Sequence, residues 1–158
     1  MTGFSITFTG ATAEDDPAVA VGEIQLGDYR ESFHAVTGYW STQDYEASWT
    51  AALRRLLAGG AVSCLVTSLT DPQEATFITT WPLYLNQETE EVYVQNQILF
   101  LDELPAPFAP DLPWESVAPR TTVDEDGRKI SEWKITLTDI ENFLDPHTDS
   151  SNARTGAV

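Results

Sequence analysis

The sequence predicts an α+β fold: a mainly antiparallel β-sheet of about five to seven strands, with one long helix packed on a face and a short C-terminal helix. Three observations lead there. Apolar and polar residues alternate in several short segments, the period of a strand buried on one face. One stretch, Thr42 to Ala58, instead carries its apolar residues at spacings of three and four. Short runs of turn-forming and charged residues separate neighbouring strand patterns, as antiparallel hairpins require.

Phe4, Ile6 and Phe8 alternate with Ser5, Thr7 and Thr9, and Gly10 is expected to end this first strand. Ala11 to Pro17, carrying Glu14, Asp15 and Asp16, reads as a polar connection. Val19, Val21, Ile24 and Leu26 suggest a further extended pair or bent strand, with bends at Gly22 and Gly27. Ser41 is placed to cap the long helix, Asp44 completes a short capping box, and Gly59 with Gly60 stops it. Tyr45, Trp49, Ala52, Leu53 and Leu56 form its apolar stripe. Arg54 and Arg55 lie off that stripe, near the end where cations complement the helix dipole.

Val62 to Ser68 reads as a central strand, because Val62, Cys64 and Val66 point one way and Leu65 and Leu69 the other. In Thr76 to Tyr84, Pro82 lacks an amide proton and assigns the strand to an edge or to a bulge. Asn86 to Glu91 reads as a hairpin leading into Val92 to Leu101, where Val92, Val94, Ile98 and Phe100 make one apolar face interrupted by Asn96. A buried Asn96 would need partners. Asp102 to Pro119 is a long proline-rich connection, suited to function or to covering a sheet edge. Arg120 to Val123 and Arg128 to Ile135 flank a hairpin turn, Asp124 to Gly127, with Gly127 at the position needing positive φ. Thr138, with Glu141 three residues on, caps the last helix, and Pro146 closes it. Residues 1–145 are thus expected to form a single domain and 146–158 a disordered tail.

The chain has 158 residues, with 8 Lys plus Arg against 25 Asp plus Glu, for a formal net charge of −17. That balance argues against nucleic acid or an anionic membrane as partner, since phosphate contacts need clustered cations, and it favours cationic partners. A hydrophobic share of 42% with five tryptophans separates the chain from disordered acidic tails. Cys64 stands alone, which fits a reducing compartment. No apolar run approaches the ~20 residues of a spanning helix, and the N-terminus reads as neither signal peptide nor anchor, so a cytoplasmic location is expected.

No catalytic constellation is present as a sequence motif. There is no glycine-rich phosphate loop, no G-x-S-x-G elbow and no H-E-x-x-H. Cys64 with His34 is the only thiol–imidazole pair before the tail, but Cys64 sits mid-strand, where an inert buried thiol is the ordinary case, and His34 reads as a capping or core imidazole. Asp124, Asp126 and Gly127 evoke a calcium loop, yet its twelfth position is Trp133 rather than glutamate. No catalytic residue, cofactor or metal is therefore expected. Trp40, Trp49, Trp81, Trp114 and Trp133 read mainly as core or semi-core residues.

Several segments together carry a resemblance: Ile24 to Phe33 (IQLGDYRESF), then Tyr39-Trp40-Ser41 with Asp44, Tyr45 and Trp49, then Val94 to Phe100 (VQNQILF), then Ile130 to Trp133 (ISEW). The combination resembles immunity proteins of bacterial contact-dependent growth inhibition systems, over roughly Glu23 to Leu144. It implies a cytoplasmic antitoxin that binds a toxin domain delivered by a neighbouring cell and blocks its active site; many such toxins are nucleases, whose phosphate-holding surfaces are basic. Acidic residues in turns and loops, Glu90, Glu91, Asp102, Glu103, Asp124, Glu125 and Asp126, are the expected toxin-binding residues, with Phe108 and Trp114 as aromatic anchors. The competing readings are a small enzyme or ligand-binding domain with a tryptophan-lined pocket, and an acidic mimic of nucleic acid.

Overall fold

In the computed structural model, which describes residues 3–145, the chain begins as a meander of three antiparallel strands, β1 (Phe4–Ala13), β2 (Asp16–Leu26) and β3 (Tyr29–Val36). Both the residues expected as a tail, 146–158, and Pro146 at the end of the last helix lie outside the described residues. Gly10 does not end β1. It takes a positive φ of 87° where the register with β2 shifts, and pairing resumes at Thr12 and Ala13, so the polar connection is the exposed tip of a long hairpin. Exposed on both faces, that tip needs no apolar alternation. Gly22 is not a bend either. It pairs with Phe33 on β3, whose ring lies where a β-carbon would meet Cζ at 2.2 Å. Gly27, at φ 64°, does turn the chain from β2 into β3.

The long helix, α1 (Thr42–Leu57), forms as its caps and stripe predict. Ser41 Oγ accepts from Asp44 N at 3.1 Å, Asp44 Oδ2 accepts from Ser41 N at 3.0 Å, and all five stripe residues are buried. After it come β4 (Val62–Ser68), β5 (Phe77–Asn86), β6 (Glu91–Gln95), β7 (Gln97–Phe100) and β8 (Glu132–Thr136). These make a second antiparallel sheet in the order β4-β5-β6-β8, with β7 also on β5. The fold is therefore α+β with antiparallel strands, as predicted, but divided into two sheets.

The central reading of β4 is reversed, and of the two readings for the strand with Pro82 the edge position fails. β4 is an edge strand, pairing only with β5. Its outer edge is closed by helix side chains: Arg55 Nε donates to Val62 O at 2.8 Å, Trp49 Nε1 to Val66 O at 2.7 Å, and Tyr45 Oη accepts from Leu69 N at 2.9 Å. An edge covered in this way is as dry as a central strand, and its sequence is as apolar. β5, by contrast, is central. Its Pro82 falls at Trp81–Pro82, where the partner on the far side switches from β7 at Thr80 to β6 at Leu83, so the absent amide costs no ladder bond there.

The last helix, α2 (Leu137–Leu144), is capped by Thr136 with Asp139, two residues earlier than Thr138, because Thr136 is the last extended residue of β8. Aromatic contacts join the layers. Tyr29 of β3 stacks on Trp133 of β8 at 4.5 Å, Phe8 of β1 on Trp49 of α1 at 5.0 Å, and Phe4 meets Phe143 of α2 edge-on at 5.3 Å. Trp81 is buried beside Trp133. His34 is neither cap nor core; it lies exposed on β3.

Candidate functional site

Asn96 separates β6 from β7, and this one unpaired residue inverts the alternation that follows. Val92 and Val94 point inward, as expected. Beyond Asn96, however, Leu99 is buried, whereas Ile98 is 52% exposed and Phe100 44%. The single apolar face expected for Val92, Val94, Ile98 and Phe100 is thus split in two. Asn96 itself is exposed, and the buried amide is that of Gln95. Phe77, paired with Phe100 across β5 and β7, is also half-exposed.

The Asp124–Gly127 turn sits across from β7. Gly127 takes φ 78° as predicted, but the flanking segments share only the isolated bridge Val123–Lys129, and only the end of the second is a strand, β8. Asp124 Oδ1 shapes the turn by accepting from Asp126 N at 2.9 Å and Arg128 N at 2.8 Å. Between turn and strand runs a groove of about 800 Å³. Asn96, Gln97, Ile98, Phe100 and Glu103 line one side, and Thr121, Val123, Asp124, Glu125, Asp126 and Ile130 the other. Ile98, Phe100, Val123 and Ile130 give the groove apolar surface and Glu103, Asp124, Glu125 and Asp126 give it four carboxylates, the two kinds of group that protein-binding patches combine.

A polar network fixes the base of that turn beside β7. Arg120 grips Glu132 with two hydrogen bonds, Nε to Oε2 at 2.8 Å and Nη2 to Oε1 at 2.6 Å, and its guanidinium lies 4.1 Å from the Tyr93 ring centroid. Buried Gln95 donates to Glu132 Oε2 at 2.8 Å and Thr121 O at 2.9 Å, and accepts from Gln97 Nε2 at 2.6 Å. Hydrogen bonds from Arg120 hold the Glu132 carboxyl below its ordinary 4.5, against the opposing effect of burial. A lowered folded value means that the pair's stabilisation is full above the ordinary value and is lost as pH falls through the lowered one. Glu132→Gln is therefore expected to cost about 1 kcal/mol at pH 7. The wild-type advantage, read by denaturant unfolding, should shrink below about pH 4; a gap still constant at pH 3 would contradict this role.

The expected site residues fall into three places. Glu103, Asp124, Glu125 and Asp126 line the groove, and Asp102 is exposed in the short 3-10 turn Leu101–Glu103 beside it. Glu90 lies at the other end of β5, in the turn after Asn86, and Glu91 opens β6 opposite Asn86. Nine residue-to-residue steps along β5 put that turn about 30 Å from the Phe77–Phe100 pair. Glu91 is bound there by Lys134 at 2.9 Å, which holds its carboxyl below the ordinary value. Phe108 and Trp114 belong to the proline-rich connection, whose 3-10 turn Pro113–Ser116 packs near β4. Phe108 is only 9% exposed and packs in the core, while Trp114 is half-buried under the Arg55 guanidinium, 4.8 Å from its ring centroid.

Trp114 and Trp40 also line a cavity of about 250 Å³ against α1, with Asp44 and Asp111. Burial pushes the Cys64 thiol up to about 12, so it is not a nucleophile at neutral pH. Among the described residues no three His, Cys, Asp or Glu side chains are grouped to hold a metal ion, and no helix is long and apolar enough to cross a membrane. The groove's apolar residues, Ile98, Phe100 and Val123, were missed in the sequence because strict alternation assigns the first two to the core.

The family model described as the CdiI N-terminal domain matches residues 35–143. The chain belongs to this family. The Immunity protein CdiI of Enterobacter cloacae subsp. cloacae is 37% identical over 140 residues, spanning 85% of this chain and 94% of that protein. A chain of the solved CdiA-CT/CdiI toxin and immunity complex from Enterobacter cloacae superposes with a TM-score of 0.80 at 35% identity, covering 92% of this chain and 99% of that one. The resemblance carried by Ile24 to Phe33, Val94 to Phe100 and Ile130 to Trp133 is thus established as kinship with the immunity proteins of contact-dependent growth inhibition.

Proposed function

We propose that this CdiI-family chain binds and neutralises the C-terminal toxin domain of a contact-dependent growth inhibition effector, that the toxin is a basic nuclease, and that binding covers its active site. The likeness to a chain of a solved toxin and immunity complex carries the reading. The net charge of −17 and the acidic rim supply the complement to a cationic, phosphate-binding surface. The role is stoichiometric: no bond-making is assigned to any side chain, and the protein acts in the cytoplasm, where a delivered nuclease meets its substrate. Glu103, Asp124, Glu125 and Asp126 form the acidic part of the contact, around Ile98, Phe100 and Val123. Rim charges act chiefly on the rate of capture and the apolar centre on the rate of release.

The test is direct. The purified chain is mixed with the toxin domain encoded beside it and passed over a sizing column. A stable equimolar complex that lacks the toxin's nuclease activity supports the reading. Separate elution, or a complex that still cleaves nucleic acid, refutes it.

A further inference from the structure

β7 has an open edge. Leu101 N donates to Thr76 O at 3.0 Å and Thr80 Oγ1 to Gln97 O at 2.8 Å, so the backbone groups of residues 97, 99 and 101 point towards β5. In an antiparallel ladder those of Ile98 and Phe100 then point the other way. Among the described residues no strand pairs with β7 on that side, and no backbone hydrogen bond to Ile98 or Phe100 is made from outside β5. The contrast with β4 is informative, because there α1 closes the free edge with Arg55, Trp49 and Tyr45. At β7 the unpaired groups face a groove instead of a cover.

Resting on the toxin-binding reading, we propose that the toxin contributes an extended basic segment that adds to the outer edge of β7 as a further strand, between β7 and the Asp124–Gly127 turn. Strand addition satisfies the outward N–H and C=O groups of Ile98 and Phe100. Alternate side chains of the added strand meet the exposed Ile98 and Phe100 surfaces, and its Lys and Arg residues reach Glu103, Glu125 and Asp126 on the rim. Charge selects the occupant: a neutral or acidic strand would leave those carboxylates without counter-charges, whereas a cationic one pairs them. The short β7, only four residues, bulged at Asn96 and flanked by carboxylates, resists pairing with a second copy of this acidic chain.

Amide hydrogen exchange of the full chain, alone and with its cognate toxin domain, tests the proposal. In the complex the Ile98 and Phe100 amides should exchange at least about tenfold more slowly. Ile98→Pro removes one outward donor while sparing every bond to β5, and should weaken binding about tenfold beyond Ile98→Ala, which keeps the amide. A matching melting temperature for the two variants shows that the edge alone has changed. A complex whose Ile98 and Phe100 amides exchange as fast as in the free chain overturns strand addition and leaves toxin binding intact. Failure of the wild-type chain to form any complex overturns both.

Discussion

Phe100→Ala is expected to raise the dissociation rate of the toxin complex by about 30- to 900-fold, the range of a central aromatic anchor truncated at an interface. The ring lines the groove 44% exposed, with its centroid 6.4 Å from that of Phe77. In the free protein it covers little, so the variant should fold with a loss under about 1.5 kcal/mol. Surface-immobilised kinetics separate the effects, since release should quicken while capture stays within about threefold. An unchanged release rate would remove the groove's apolar centre from the interface.

Reversing the rim with Glu103→Lys, Glu125→Lys and Asp126→Lys together should slow association with the toxin by about 10- to 100-fold at low salt and flatten its dependence on ionic strength. Asp124 is left in place because its Oδ1 holds the turn through the Asp126 and Arg128 amides. Glu88→Lys with Glu90→Lys, in the turn at the far end of β5, is the matched comparison and should change the rate by less than about threefold. Equal slowing by both sets would mean that overall charge steers the encounter, with no focus on the groove.

Particular residues show how far the sequence could be read. α1 was legible throughout because its signals are local: Ser41 and Asp44 cap it, and its stripe repeats at helical spacing. β3 was not assigned from the sequence, since Glu31 stands in the half-buried row of its alternation, hydrogen-bonded by Tyr29 Oη. Long-range covering misled twice. β4 reads as central because α1 seals its edge, and β5 reads as an edge or a bulge because Pro82 falls where its partner strands change. The candidate site was half visible. Three of its four carboxylates lie in a turn marked by Gly127, whereas Ile98 and Phe100 face solvent only through a bulge at Asn96 that no glycine or proline announces. Phe108 belongs to a proline-rich stretch, a composition that suggests exposure, yet the stretch folds back and buries that ring in the core.

Growth of a bacterium made to express the adjacent toxin domain measures neutralisation most directly. Co-expression of this chain should restore growth to that of toxin-free cells, and the Phe100→Ala and triple-lysine variants, present at equal levels, should restore it less. Cells that stop growing with the wild-type chain abundant and folded beside the toxin would contradict the account.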